Sequence, residues 1–130
     1  MSQKEIEVIL TRQLASYLAL PIFIVDPQGT LVFYNEPAEA ILGLRFDETG
    51  EMAAAEWGTV FTPIDGAGSP LPPDTLPLTI ALRERRSAHG DFYIRGLDLV
   101  LRHIEVTAFP LIGQAHRDLG AVALFWEVHA

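Results

Sequence analysis

LPIFIVDPQGTLVFYN, residues Leu20 to Asn35, sets two apolar runs on either side of a strong turn signal. Asp26-Pro27-Gln28-Gly29 places Asp first, Pro where φ near −65° is required and Gly last, which is the residue preference of a type I turn. The two runs therefore read as a β-hairpin. Pro21 stands ahead of the first strand, where a missing N–H costs nothing, and Asn35 follows the second as a helix N-cap whose side chain accepts orphan amide N–H groups.

Upstream of the hairpin, residues 3–18 place Ile6, Ile9, Leu10, Leu14, Tyr17 and Leu18 at helical spacing, with Lys4, Glu5, Glu7, Arg12 and Gln13 largely elsewhere. This is an amphipathic helix. About sixteen residues are only marginally helical alone in water, so the stripe must dock on its own domain or on a second copy. Downstream, Glu36 to Leu42 with Pro37 in the first turn and Gly43 at the C′ position makes a short helix. The acidic, alanine-rich segment Arg45 to Gly58 has no clear period and reads as a loop with at most a helical turn. Ile64 to Pro73 carries Gly66, Gly68, Pro70, Pro72 and Pro73, so no regular structure is expected before Asp74, an N-cap. Thr75 to Arg86 follows as a helix that tolerates Pro77 in its first turn. Its closing Arg83, Arg85 and Arg86 suit the negative end of the helix dipole and read as a solvated helix end. Three strands finish the chain, about Gly90–Arg95, Val100–Leu111 and Gly120–His129, the last two joined by the polar hairpin loop Gly113 to Asp118. The order is an α+β pattern built on an antiparallel sheet.

Composition narrows the function. The chain has 130 residues, no cysteine and a formal charge of −8. That length makes one domain that buries roughly two thirds of its unfolded surface. Without cysteine there is no disulfide scaffold, thiol catalysis or cysteinyl adduct. Neither a signal peptide nor a membrane span is written in the sequence, and a cytoplasmic protein is expected. The acidic balance disfavours nucleic acid as a partner. His89, His103, His116 and His129 lack metal-ligand spacing and are expected at the surface, so no metal site is expected.

In this order of elements the chain resembles a PAS domain, the sensor module of histidine kinases, cyclic-dinucleotide enzymes and transcription regulators. The resemblance covers essentially the whole chain. It rests on IFIVDPQGTLVFYN, on the helix opening Asn35-Glu36-Pro37-Ala38 running to Leu42-Gly43, and on the segment from Asp65-Gly66 through GSPLPPDTLPLTIALR. Pro110 after a strand and Gly120-Ala121-Val122 before the last strand complete it. The resemblance implies a five-stranded antiparallel sheet with helices on one face, residues 20–130 forming the PAS domain and 1–19 an N-terminal amphipathic dimerisation helix. Glu127-Val128-His129 stands where many PAS domains carry an Asp-Ile-Thr linker to an effector. With no output domain in the chain, it is expected to be either a single-domain protein or a piece of a longer one.

Strand periodicity then assigns faces, since alternate residues point to opposite sides. On the family's sheet, Phe23, Val25, Leu31, Phe33, Phe92, Ile94, Ile104, Val106, Ala108, Ala121, Ala123 and Phe125 point inward. With Ile41, Leu76 and Ile80 from the helices, they outline the implied ligand pocket. The lining lacks the Asn and Gln that flavin-binding relatives use, and the long helix lacks the axial His of haem-binding ones, so no cofactor is expected. An empty apolar cavity of ~300 Å³ would cost on the order of 7 kcal/mol, comparable with the stability of a small domain. Either a hydrophobic small molecule fills it, or Phe23, Phe33, Phe92 and Phe125 collapse into an ordinary core. The opposite face, Ile22, Ile24, Val32, Tyr34, Phe109, Val122, Leu124 and Trp126, is too apolar for a solvated face and needs cover. The expected cover is the N-terminal helix with a second subunit, through Ile6, Ile9, Leu10, Leu14, Tyr17, Ile22, Ile24, Leu124 and Trp126.

The expected function is a sensory and dimerisation module in signal transduction of the two-component kind, taking a hydrophobic small molecule or a protein partner. Its expected partners are a second copy, a downstream signalling domain or protein, and an apolar small molecule. The alternative is a ligand-free interaction adaptor with a fully packed core. A third reading, a small cone-shaped isomerase or cyclase, needs a general base that the inferred lining lacks, so no enzyme activity is expected.

Overall fold

The Asp26 turn closes the first hairpin as the sequence predicts. In the computed structural model, which describes residues 6–42, 50–53, 63–72, 75–95 and 100–128, the Gly29 N–H reaches the Asp26 carbonyl at 2.9 Å and the Asp26 N–H reaches Thr30 O at 2.9 Å. Gly29 sits at φ 86°, the left-handed position that follows a type I turn in a three-residue hairpin loop. The Asp26 carboxylate caps the turn, accepting from the N–H groups of Gln28 and Thr30.

The strands are β1 (Ile22–Val25), β2 (Leu31–Tyr34), β3 (Pro63–Ile64), β4 (Ala88–Arg95), β5 (Leu101–Ile112) and β6 (Asp118–Glu127), and the α-helices are α1 (Ile6–Ala15), α2 (Glu36–Leu42) and α3 (Pro77–Glu84). They form one sheet in the order β2-β1-β6-β5-β4-β3, with every neighbouring pair antiparallel. Five strands match expectation. The sixth, β3, is an addition of two residues at the edge, held by a second turn of the same construction as the first. The Gly68 N–H reaches the Asp65 carbonyl at 3.0 Å and the Asp65 N–H reaches Ser69 O at 2.9 Å. The Asp65 carboxylate accepts from Ala67 and Ser69, and Gly68 takes φ 88°.

No described helix is long and apolar enough to cross a membrane. Helix α3 begins at Pro77 with Leu76 as an extended N-cap residue and ends at Arg85, whose φ of 54° and ψ of 43° are left-handed. The predicted cap Asp74, the first helix's residues 3–5, the C′ Gly43, most of the Arg45–Gly58 loop and His129 lie outside the described residues. The closing arginines are exposed, and Arg86 pairs with Glu84 at 2.8 Å and Arg85 with Asp118 at 3.6 Å.

Two apolar clusters sandwich the sheet. The inner one joins Val25, Leu31, Tyr34, Ile94, Ile104, Val106 and Phe125 of the strands to Ala38 of α2 and Leu78 and Ala81 of α3. The outer one joins Ile22, Ile24, Val32 and Val122 to Ala15 at the end of α1. Asn35, 2% exposed, ties the two layers together. Its Oδ1 accepts from Ala38 N, the predicted N-cap bond, and from Ile22 N, while its Nδ2 donates to the carbonyls of Ala15 and Leu20. A sequence-local cap thus also anchors the C-terminus of α1.

Candidate functional site

Between the inner face and α3 lies an apolar cavity of about 60 Å³. It is lined by Phe23, Pro63, Leu76, Pro77, Leu78, Thr79, Phe92, Ile94, Ile104, Val106, Ala123 and Phe125. Phenylalanine packing keeps it small: the Phe23 ring meets Phe125 edge-on at 5.1 Å and Tyr34 edge-on at 5.7 Å. The volume decides the energetics. An empty space of this size costs only about 1.5 kcal/mol, too little to require a ligand by itself. It lies well below the roughly 150 Å³ that admits a benzene-sized molecule.

Of the residues expected in the pocket, Phe23, Leu76, Phe92, Ile94, Ile104, Val106, Ala123 and Phe125 border this cavity. Val25, Leu31, Ala108 and Ile41 belong to the inner cluster away from it. Ile80 is half-buried on α3 and borders neither. Phe33 is a correction: it packs in the outer cluster. The register explains why, because Ile24 pairs with Phe33 but the next residue, Val25, pairs with Leu31, skipping Val32. This bulge reverses the alternation in the second half of β2, so Phe33 turns outward and Tyr34 inward. On the outer side Phe33 receives the Arg12 guanidinium of α1, 4.8 Å from its ring centre.

The expected dimer residues divide in the same way. Ile22 and Ile24 are 3% and 0% exposed and lie within the chain's own outer cluster beside Ala15, so a partner cannot reach them, a second correction. Helix α1 docks by its small residues, Val8 and Ala15 being its buried positions. Its large apolar residues Ile6, Ile9, Leu10 and Leu14, with Tyr17 just beyond, face outward and are exposed. Leu124 is half-buried against the outer cluster. Trp126 is 37% exposed and donates its indole N–H to Glu105 at 3.0 Å.

No protein-family model matches the chain, and no curated protein matches it. Solved structures do. The PAS domain of a protein from Colwellia psychrerythraea aligns with a TM-score of 0.64 at 15% identity, over 93% of this chain and 96% of that one. The PAS domain of nitrogen regulation protein NR(II) from Vibrio parahaemolyticus gives 0.63 at 17% identity, over 92% and 98%. The Rhodobacter sphaeroides LOV protein gives 0.73 at 11% identity, over 96% and 69%. The fold is that of a PAS domain.

In this PAS fold, several residues that shape the cavity were not read from the sequence. Pro77, Leu78 and Thr79 border it because α3 starts two residues later than predicted and presents its first turn to the sheet. Pro63 arrives on the unpredicted β3. Met52, 3% exposed, joins the inner cluster by a two-way backbone bridge to Leu31. A lone methionine in an acidic segment carries no periodic signal, whereas the glycine and proline punctuation around Asp65 did mark the second turn. Beyond the reach of α1, the outer face of the PAS sheet changes character. His103 stacks on Tyr93 at 4.5 Å and meets Asp91 at 2.8 Å, and an open groove runs past Asp91, Glu105 and Trp126. His89 and His116 are exposed as expected and His103 is half-buried. Among the described residues no cluster of side chains could hold a metal ion.

Proposed function

We propose that this chain is a sensory PAS module in signal transduction that works as a homodimer, with α1 as the dimer contact and no chemistry of its own. The orientation of α1 carries the reading. A helix that only closed its own core would turn its large apolar residues inward, yet Ile6, Ile9, Leu10, Leu14 and Tyr17 are 65%, 50%, 55%, 59% and 81% exposed. Two such stripes packed about a two-fold axis remove both from water with one self-complementary contact. Resemblance to the PAS domain of a nitrogen regulation protein supports a regulatory setting.

The input is a protein contact or a small apolar molecule, passed on as a change in helix and sheet packing. A cavity of about 60 Å³ favours the protein contact, because a larger ligand would have to displace Phe23, Phe92 or Phe125. Flavin and haem do not fit these residues. Among the described residues the wall has Thr79 as its one polar side chain, with no amide to meet a flavin edge and no imidazole for iron. The same described wall has no carboxylate or imidazole to act as a general base, which supports a non-catalytic role.

Native mass spectrometry and sedimentation of the full chain test this reading together. The expected result is a dimer that Leu10→Glu with Leu14→Glu converts to a folded monomer, since both side chains already face water. A wild-type chain that stays monomeric at high concentration overturns the reading. An added mass released by organic extraction would make the small molecule the input.

A further inference from the structure

Strands β4, β5 and β6 bring one row of side chains together on the open half of the outer face. Asp91 of β4 lies directly opposite Glu105 of β5, and Glu105 lies directly opposite Trp126 of β6. Two carboxylates facing each other across an antiparallel pair repel, and this is a pairing that sheets avoid. Each is turned away from the other by a neighbour. Asp91 is drawn toward His103 at 2.8 Å, and Glu105 accepts the Trp126 indole N–H at 3.0 Å. Between them runs an open groove of about 400 Å³ bordered by His89, Asp91, Glu105, Thr107 and Trp126, and among the described residues no lysine or arginine stands on its walls. Arg95 is the next cation along the same face of β4, four residues and about 13 Å from Asp91.

We propose that this half of the sheet is the docking surface for a basic segment of a partner protein, with an arginine side chain seated between Asp91 and Glu105 against the Trp126 indole. Charge complementarity selects the occupant. The groove carries two carboxylates without a compensating lysine or arginine among its described wall residues, in a chain whose formal charge is −8. A guanidinium fits better than an ammonium, because its planar fork can bond both carboxylates while its face stacks on an aromatic ring. The His103 imidazole and the Trp126 indole each meet one of the two carboxylates from its far side, and a partner's cation between the strands is expected to offset the repulsion that is left. This groove shares no residue with the α1 dimer contact, since the exposed stripe lies on α1 and the groove lies on β4, β5 and the end of β6.

The test follows the Trp126 indole N–H by NMR in the full chain, assigned against Trp126→Phe, during titration with N-acetyl-arginine amide. The neutral isostere N-acetyl-citrulline amide is the control. A saturable shift with millimolar affinity is expected for the arginine probe alone, falling at least about fivefold in Asp91→Asn and Glu105→Gln. The indole resonance of the unliganded variants reports that each remains folded. Absence of a saturable shift up to about 50 mM, or an equal response to citrulline, overturns the proposal. A Trp126 signal that moves with protein concentration alone puts a second copy in the groove and also overturns it.

Discussion

Under α1 the outer face of the sheet is built from Ile22, Ile24, Val32 and Val122, none more than 3% exposed, whereas across the end of β6 and on β5 and β4 the same face carries a half-exposed Trp126, Glu105, His103 and Asp91. One sheet thus presents two unlike surfaces to the same side. The boundary follows the reach of a ten-residue helix. Near its start, Glu7 lies beside the β5–β6 loop, where a Cβ added to Gly113 would come within 3.1 Å of the Glu7 carboxylate. At its end Asn35 holds the Ala15 carbonyl. The covered half is finished within the chain, and the open half has polar partners but no roof among the described residues. Stability should therefore reside in the first and sensitivity to charge in the second.

The sharpest test of the covered half is Gly120, at the start of β6. Its φ is 121°, and an added Cβ would stand 1.9 Å from the Val25 carbonyl oxygen and 2.9 Å from the Val25 carbonyl carbon. Backbone on both sides leaves nothing to yield. Gly120→Ala is expected to cost more than about 4 kcal/mol, read as loss of the cooperative urea transition. A loss under about 1 kcal/mol would mean that β1 and β6 can slide apart, and that the covered half is not the rigid one.

Asn35→Ala should come next, at about 3 kcal/mol. Removal of the amide strands the Ile22 N–H and the carbonyls of Ala15 and Leu20 in or near the interior. Hydrogen exchange gives the local signature, with α1 amides losing protection before those of β4 and β5. Uniform loss of protection would instead make α1 an integral part of one cooperative unit.

The same contrast shows what the sequence made legible. Asp26-Pro27-Gln28-Gly29 announced its hairpin because long apolar strands flank it. Asp65 to Ser69 builds the same turn with the same carboxylate and glycine, yet Pro70, Pro72 and Pro73 after it argued against strands, and β3 went unread. The helix stripe of Ile6, Ile9, Leu10 and Leu14 was plain, but periodicity identifies an apolar face without saying whether it meets this chain or another. Here the small residues Val8 and Ala15 face the sheet and the large ones do not. The bulge that exchanged Phe33 and Tyr34 was equally silent, because a skipped residue leaves no mark on composition. Most of the inner lining was legible, since Phe92, Ile94, Ile104 and Val106 alternate without interruption.

A smaller effect sits in the β5–β6 hairpin, which feeds both halves. Ala115 and His116 both take a φ of 58°, the left-handed pair of a type I′ turn, where Asn-Gly is preferred. Ala115→Asn with His116→Gly should raise stability by about 1 kcal/mol, measured as a rise of several degrees in Tm. No gain would show that the loop's own contacts already offset the strain.

The smallest expected change belongs to the open half and separates it from the covered one by mechanism. Glu105→Gln keeps an acceptor for the Trp126 indole and removes the charge opposite Asp91. If repulsion across the pair outweighs what the charged hydrogen bond adds, the variant is more stable by about 0.5 kcal/mol at low ionic strength. Salt distinguishes this cause from any packing gain: the advantage should shrink as the screening length falls from about 10 Å at 0.1 M to about 3 Å at 1 M. Val122→Ala under α1 offers the counterpart, a loss from packing that salt leaves largely unchanged. A Glu105→Gln variant less stable than the parent at every salt concentration would mean that the Glu105–Trp126 bond outweighs the repulsion. The open half would then be self-sufficient, with no unrelieved charge for a partner's cation to answer.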